Sequence, residues 1–130
     1  MEQFAVAVGA GSLRSSDGAV VGFPHRWTPE GVTVEADFTG AHLLHLAAAG
    51  CVLNDLYREA AQRGLTLDGV LVTARGGFEP DSWASTGITY TVELDSAEAT
   101  EDLARLVLHV DEIAEIPRAL RLGTTVRRGR

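Results

Sequence analysis

The stretch FTGAHLLHLAAAGCVLNDLYREAAQRG, residues 38–64, has the features of one long helix. Thr39 offers a hydroxyl that can cap the helix N-terminus, and Gly64 is typical of the position just beyond a last turn. The stretch therefore predicts a helix from about Gly40 to Arg63. Its first three turns contain hardly any polar side chain, and a helix that is apolar all round is buried on all sides. In a chain of 130 residues, this predicts that a second subunit covers the helix.

Alternating apolar residues predict β-strands on both sides of this helix. The predicted strands are Gln3–Val8, Ala19–Phe23, Val32–Ala36, Gly69–Gly76 and Gly87–Leu94. A second amphipathic helix starts at Ser96 or Thr100, Pro117 ends or offsets it, and Thr124–Arg127 is predicted as a short last strand. Neighbouring strands joined by hairpins form an antiparallel sheet with the helices on one side, so residues 1–130 are predicted to form a single α+β domain.

The composition excludes several classes of function. A net charge of −7 argues against a nucleic-acid partner. None of the 11 basic residues is a lysine, which excludes Schiff-base catalysis and a phosphate-binding P-loop. The N-terminus lacks the features of a signal peptide, and the most apolar stretch, Leu43–Leu53, is too short to span a membrane. With a single cysteine and no intrachain disulfide, these features predict a cytoplasmic protein with no membrane partner.

That single cysteine, Cys51, lies in the middle of the first helix. Leu44, Ala48, Asp55 and Arg58 share its face at 100° per residue. Arg58 is the only cation on this face, and Asp55 is placed to pair with it. A thiol buried without a cation has a raised pKa and is inert, whereas a thiolate is a nucleophile. The residues alone leave both interpretations open: a structural core thiol or a reactive one.

Two histidines, His42 and His45, stand three residues apart at the start of the same helix. This spacing can place two ligands near one metal ion. No third ligand is evident nearby, and neither Cys51 nor Asp55 shares their face. The sequence therefore predicts no metal site, and it contains no motif for a cofactor.

Two longer segments carry a resemblance to a known family. FTGAHLLHLAAAGCVLNDLYREAAQRGLTLDGVLVTA and LHVDEIAEIPRALRLGTTV, together with the SSDG turn at 15–18, resemble the OsmC/Ohr family of osmotically induced and organic hydroperoxide resistance proteins. The resemblance covers most of the chain from Thr39 onward. It implies an OsmC-like α+β fold with antiparallel sheets and two main helices. It also implies an intertwined homodimer with its site at the subunit interface.

The resemblance implies a role for each of a few residues. Cys51 matches the reactive cysteine of these thiol-dependent peroxidases, and Arg14, or next Arg26, matches the arginine that polarises the thiol. Ala114 stands where the family has its resolving cysteine, and Ala41 stands where it has a glutamate. These two replacements predict a degenerate one-cysteine enzyme in oxidative stress, with weak or no reduction of organic hydroperoxides and an external thiol as reductant.

Two alternatives stay open beside that prediction. One is a non-catalytic homodimer that binds a small apolar ligand in the interface pocket, and the other is an interaction homodimer without a ligand. The predicted ligand-binding residues, beside Cys51, are Leu44, Ala48, Trp27, Phe78 and Trp83.

Overall fold

The predicted central helix forms, and its ends are set by the residues that predicted them. In a computed structural model, which describes residues 2–129, helix α1 runs over Gly40–Gln62. The Thr39 hydroxyl accepts a hydrogen bond from the His42 backbone N–H at 3.1 Å. Gly64 follows the helix with a φ of +67°, a conformation that glycine adopts without the steric cost of a side chain.

Five strands form one antiparallel sheet in the order β2-β3-β1-β4-β5. They are β1 Val6–Gly11, β2 Val21–Phe23, β3 Val32–Glu35, β4 Gly69–Phe78 and β5 Ser85–Asp95. Helix α1 packs against β1 and β4 in the middle of the sheet. The predicted α+β class, with an antiparallel sheet, is therefore confirmed.

The C-terminal part of the chain differs from the prediction. Helix α2 spans Thr100–Ile113, which matches the later of the two predicted starts, and a third helix, α3, follows at Glu115–Leu122. The predicted strand at Thr124–Arg127 is wrong, because residues 123–129 form neither strand nor helix. Pro117 explains the difference: it lies in the first turn of α3, where a helix N–H has no intrahelical acceptor, so proline is tolerated there.

The first strand is shifted towards the C-terminus relative to the predicted Gln3–Val8. Its last three residues, 9–11, pair with 69–71 on β4. A side chain on Gly9 would clash with the backbone of Leu13, and one on Gly11 with the backbone of Asp68. Gly9 and Gly11 are therefore required by the close approach of the backbone, and Gly11, with a φ of +59°, leads into the turn at 12–13 that ends the strand.

The core lies between the sheet and the three helices. Its strand residues alternate along β1 and β4, as a half-buried sheet requires. The main contributors are Val6, Val8, Val70 and Val72 from the sheet, Val52, Leu53 and Leu56 from α1, and Leu106 and Val110 from α2. Because Val52 and Leu53 are 1% exposed, the backbone that carries Cys51 is held rigidly in place.

One face of α1 remains open in the single chain. Leu43, Ala47, Gly50 and Asn54 follow each other at helical spacing, and we call them the outer stripe of α1. Leu43 is 36% exposed, Ala47 is exposed, and the other two are half-buried. Although α1 is this apolar, no helix within residues 2–129 combines the length and apolarity needed to cross a membrane.

Glu59 links α1 to α2 through its carboxylate. Oε1 accepts a hydrogen bond from Arg63 Nη1 at 3.0 Å and lies 3.1 Å from Nε2 of His109 on α2, while Oε2 accepts one from Arg58 Nε at 3.3 Å. The hydrogen bond from Arg63 is the main cause that lowers the pKa of Glu59, and burial opposes it.

Replacing Glu59 by glutamine is expected to lower the free energy of unfolding at neutral pH by about 1–2 kcal/mol, because hydrogen bonds to the charged carboxylate are lost. Since the folded state lowers this pKa, the stabilisation is present above the ordinary value near 4.5 and is lost as the pH falls through the folded value. Urea unfolding of wild type and Glu59→Gln, measured across that range, should converge at acidic pH. The exposed Glu112→Gln on α2 serves as the control, and a constant gap for Glu59→Gln at all pH values would refute this.

Candidate functional site

Cys51 lines an open cleft at the junction of three segments. α1, the loop at 24–31 and the start of α3 enclose a volume of about 550 Å³, which we call the thiol cleft. Its lining residues are Arg26, Trp27, Leu46, Ala47, Gly50, Cys51, Asn54, Asp55, Arg58, Glu115 and Ile116. Cys51 itself is half-buried, so its thiol is held in place while the cleft gives access to it.

The electrostatic surroundings of the thiol are mixed. Burial is the main cause that raises the pKa of Cys51, and the negative charges of Asp55 and Glu115 raise it further. The backbone N–H groups of Ile116 and Glu115, at the start of α3, act in the opposite direction and stabilise the thiolate. The net result is a raised pKa, so the thiol form predominates at neutral pH.

Arg58 is paired with three carboxylates. Its Nη1 lies 3.2 Å from Oδ1 of Asp55 and 4.0 Å from Oε1 of Glu115, and its Nε lies 3.3 Å from Oε2 of Glu59. The predicted pairing of Asp55 with the one cation on this helix face is confirmed. Arg58 therefore balances carboxylate charge and leaves little for the Cys51 thiolate.

Asp55 has one oxygen without a partner. Its residue is 2% exposed, and Oδ2 has no hydrogen-bond partner among residues 2–129. Burial is the main cause that raises the pKa of Asp55, and the nearby Arg58 charge partly offsets it. A buried carboxyl with an unpaired oxygen carries an uncompensated desolvation penalty of about 1–3 kcal/mol.

The loop at 24–31 forms one wall of the thiol cleft and is fixed to α1. His25 lies 2.9 Å from Oδ1 of Asn54 through Nε2 and 2.7 Å from the Thr28 hydroxyl through Nδ1. Its ring also packs against those of Trp27 and Tyr57. The guanidinium of Arg26 lies 5.6 Å from the centre of the Trp27 ring, within cation–π range. This wall therefore brings a cation and an aromatic ring to the cleft that Cys51 also lines.

The residues predicted for the site fall in several places. Trp27 lines the thiol cleft with Cys51, whereas Leu44 and Ala48 line a separate apolar groove of about 270 Å³ between α1, β5 and α3. Phe78 packs against Phe4 and His45, and Trp83 is 77% exposed in the connection between β4 and β5. Within one chain, the five predicted ligand-binding residues thus do not share one pocket.

The predicted arginine and the two replaced positions are also located. Arg14 donates through Nε to the carbonyl of Gly11 at 3.4 Å, and it is not part of the thiol-cleft lining. Ala114 is fully buried between α2 and α3, directly before the two residues whose amides act on the thiol. Ala41 is half-buried at the start of α1, and its carbonyl lies 2.7 Å from Nδ1 of His45.

Potential metal ligands are not clustered in the described residues. Among residues 2–129, no three His, Cys, Asp or Glu side chains are grouped so that they could hold a metal ion.

The sequence prediction does not include the backbone amides at the start of α3. Pro117 is predicted to end or offset the second helix, whereas a proline in a first turn also marks the start of a helix. The position of Pro117 was therefore the available signal for α3.

Comparison with known proteins gives a consistent assignment. The family model described as OsmC-like protein matches residues 32–127. An OsmC-like hydroperoxide resistance protein from Jannaschia sp. CCS1 has a similar structure, with a TM-score of 0.61 and 12% identity over 97% of this chain and 91% of that one. An OsmC-like protein from Mycoplasma pneumoniae has a TM-score of 0.59 and 12% identity over 82% of this chain and 89% of that one. No curated protein matches significantly. At this identity, the two structures demonstrate a shared fold.

Proposed function

This chain belongs to the OsmC-like protein family, and from that premise we propose that it reduces organic hydroperoxides slowly through Cys51, at the expense of an external thiol. The observation that carries the proposal is the position of the sole thiol. It is half-buried in an open cleft, and two backbone N–H groups of α3 act on it. The resemblance of the central helix to that of the family's peroxidases supports the same assignment.

The proposed reaction has two stages. Cys51 attacks the outer oxygen of the hydroperoxide, an S–O bond forms and the O–O bond breaks, which leaves a sulfenic acid and an alcohol. One external thiol then attacks the sulfenic sulfur and releases water as a mixed disulfide forms. A second external thiol releases Cys51 and yields an external disulfide. We place this cycle in the cytoplasm, where thiol reductants are abundant.

Three properties of the chain support a slow rate. The sequence has no second cysteine, and Ala114 stands where the resemblance puts a resolving thiol. Burial raises the pKa of Cys51, which lowers the thiolate fraction at neutral pH. Arg58 is occupied by Asp55, Glu59 and Glu115, so it adds little support to the thiolate.

The activating arginine is assigned by position. Arg26 lines the thiol cleft in the same chain, so we propose it as the cation that activates Cys51. Arg14, which the resemblance implies first, would have to reach Cys51 from a second copy of the chain. A homodimer that packs on the outer stripe of α1 would bring a second copy close to the cleft, because Ala47 and Gly50 belong to both surfaces.

A second candidate function rests on the separate apolar groove. Leu44 and Ala48 form one wall, Ile88 and Tyr90 of β5 form another, and Leu120 closes it on the α3 side. The lining is largely apolar, so it suits a small apolar ligand. In this alternative the protein is a non-catalytic homodimer, and loss of Cys51 would leave binding intact.

Peroxide consumption with dithiothreitol as reductant tests the proposed function. Wild type is expected to consume cumene hydroperoxide above the rate of dithiothreitol alone, and Cys51→Ser is expected to fall to that background, because the serine hydroxyl is a far weaker nucleophile. Thermal unfolding of Cys51→Ser controls for misfolding. Equal consumption by both proteins would contradict the proposal, and retained binding of an apolar fluorescent probe with no turnover would favour the alternative.

A further inference from the structure

Asn54 brings an unused hydrogen-bond donor to the thiol cleft. Its side-chain nitrogen, Nδ2, makes no hydrogen bond within residues 2–129, where its oxygen has one partner. The enclosed side-chain atoms that lack a partner in these residues are His45 Nε2, Asp55 Oδ2 and Tyr57 Oη. Because Nδ2 of Asn54 is not one of them, it is accessible. Asn54 lines the cleft with Cys51 and follows it by three residues, so their Cβ atoms are about 5–6 Å apart.

His25 fixes the orientation of this amide. The Thr28 hydroxyl lies 2.7 Å from His25 Nδ1 and 3.3 Å from the Gly31 carbonyl, so its hydrogen goes to Nδ1 in the shorter contact. The ring hydrogen is then on Nε2, which donates to Oδ1 of Asn54 at 2.9 Å. His25 lines a neighbouring apolar pocket and not the thiol cleft. Because Oδ1 points to that ring, Nδ2 is turned away from it, on the side of the cleft.

The carboxylates around Cys51 make an uncharged donor useful. Negative charge develops on the leaving oxygen when a thiolate attacks a hydroperoxide, and a positioned donor stabilises such charge. Asp55 and Glu115 already place negative charge near the thiol, and Arg58 is paired with three carboxylates. The NH₂ group of Asn54 has no carboxylate partner within the described residues, so it stays available to an oxygen atom in the cleft.

We propose that Asn54 binds the hydroperoxide in the Cys51 reaction: its Nδ2 donates a hydrogen bond to the inner oxygen and stabilises the charge that forms there as the O–O bond breaks. His25 is the positioning residue that holds the amide in this orientation. The inference rests on the proposed function and deepens it, because it names a donor that the resemblance to the family does not supply.

The hydrogen bond leaves the balance of the step unchanged. The Cys51 thiolate, whose proton has gone to water, forms a bond to the outer oxygen, which keeps its own hydrogen. The O–O bond breaks, and its electron pair stays on the inner oxygen, which takes a proton from water. Sulfur is oxidised by two electrons to the sulfenic acid, and the hydroperoxide is reduced to the alcohol. Asn54 donates a hydrogen bond throughout and gives up no proton.

Two single-turnover reactions of Cys51 separate the donor from the reactivity of the thiol. Oxidation by cumene hydroperoxide builds charge on the leaving oxygen, whereas alkylation by iodoacetamide expels iodide, a stable anion. Asn54→Asp keeps an oxygen for His25 Nε2 and replaces the free NH₂ group by a second oxygen. Loss of one such donor typically slows an enzyme by about 10²–10³-fold. The ratio of the oxidation rate to the alkylation rate is therefore expected to fall by at least about tenfold.

Ala47→Asp is the matched control. Ala47 lines the thiol cleft and belongs to the outer stripe of α1, as Asn54 does, so this variant adds the same charge to the same surfaces and keeps the amide. The added charge raises the pKa of the thiol, so both reactions should slow by similar factors. If they also slow by similar factors in Asn54→Asp, Asn54 acts only through its surroundings and the inference is refuted.

A nuclear magnetic resonance titration tests the contact without changing Asn54. The sequence has one asparagine, Asn54, and two glutamines, Gln3 and Gln62, so it gives three side-chain NH₂ signal pairs. In Cys51→Ser, which leaves the hydroperoxide intact, cumene hydroperoxide is expected to shift the Asn54 pair downfield and to leave the pair of the exposed Gln62 unchanged.

The outcomes distinguish this inference from the proposed function. If backbone signals of the cleft shift while the Asn54 NH₂ pair does not, the inference is overturned and the proposed function stands. If the hydroperoxide shifts no signal of the cleft and the wild-type thiol is alkylated but never oxidised, the proposed function is overturned, and the inference with it.

Discussion

Replacing Ala114 by cysteine is expected to give a protein that closes an internal disulfide after one equivalent of hydroperoxide. Ala114 directly precedes Glu115 and Ile116, whose backbone N–H groups act on the Cys51 thiol. A thiol at position 114 would therefore lie beside the sulfenic acid and condense with it, releasing water. Intact mass under non-reducing conditions should show the loss of two hydrogens in Ala114→Cys, where the wild type gains one oxygen.

Turnover with a dithiol reductant should increase in the same variant. An intramolecular thiol competes with external reductant at a high effective concentration, because it is already positioned. Ala114 is fully buried, so the added sulfur is expected to lower stability by about 1–3 kcal/mol. Leu108→Cys is the matched control, since it adds a second thiol on the exposed face of α2. If Ala114→Cys forms no more disulfide than Leu108→Cys, position 114 is not the resolving position.

Replacing Gly50 by arginine is expected to convert a homodimer into a folded monomer. Gly50 is in the middle of the outer stripe of α1, and a Cβ added there meets no atom within 4 Å in the single chain. Arginine is also a better helix former than glycine by roughly 0.8 kcal/mol, so the variant should fold. A second copy packed closely on the smooth stripe would instead clash with the new side chain and would have to bury its charge.

Light scattering after size-exclusion chromatography measures the molecular mass of each protein in solution. Wild type is expected at twice 13.8 kDa and Gly50→Arg at 13.8 kDa. Gln62→Arg is the control, because it adds the same charge to an exposed site in the last turn of α1, about 120° around the helix from Gly50. A wild-type monomer would contradict the predicted homodimer, and a Gly50→Arg dimer would place its interface on another face.

The sequence predicted the central helix well because both of its boundaries depend on local chemistry. Thr39 caps it through its own hydroxyl, and Gly64 takes a positive φ that other residues disfavour. The long strands β4 and β5 were predicted for a similar reason, since alternation of β-branched residues is a local pattern. These elements were enough to predict the α+β fold.

The site was less predictable because it depends on contacts between distant segments. The backbone amides of Glu115 and Ile116 reach Cys51 only because a third helix, with Pro117 in its first turn, begins beside α1. Trp27 reaches the thiol cleft through a loop that His25 fixes to Asn54, and no local pattern encodes that bond. The aromatic character of Phe78 and Trp83 does not predict where each ring lies. Phe78 packs against Phe4 and His45, whereas Trp83 is exposed.

The reaction of Cys51 with one equivalent of cumene hydroperoxide, followed by trapping with dimedone, shows whether the thiol attacks a hydroperoxide. It needs no reductant, so it isolates the attack of the thiol from the regeneration of the enzyme. We expect a dimedone adduct on the peptide that contains Cys51, together with an equal amount of the product alcohol. An unchanged thiol after prolonged incubation of the folded protein with peroxide would contradict it.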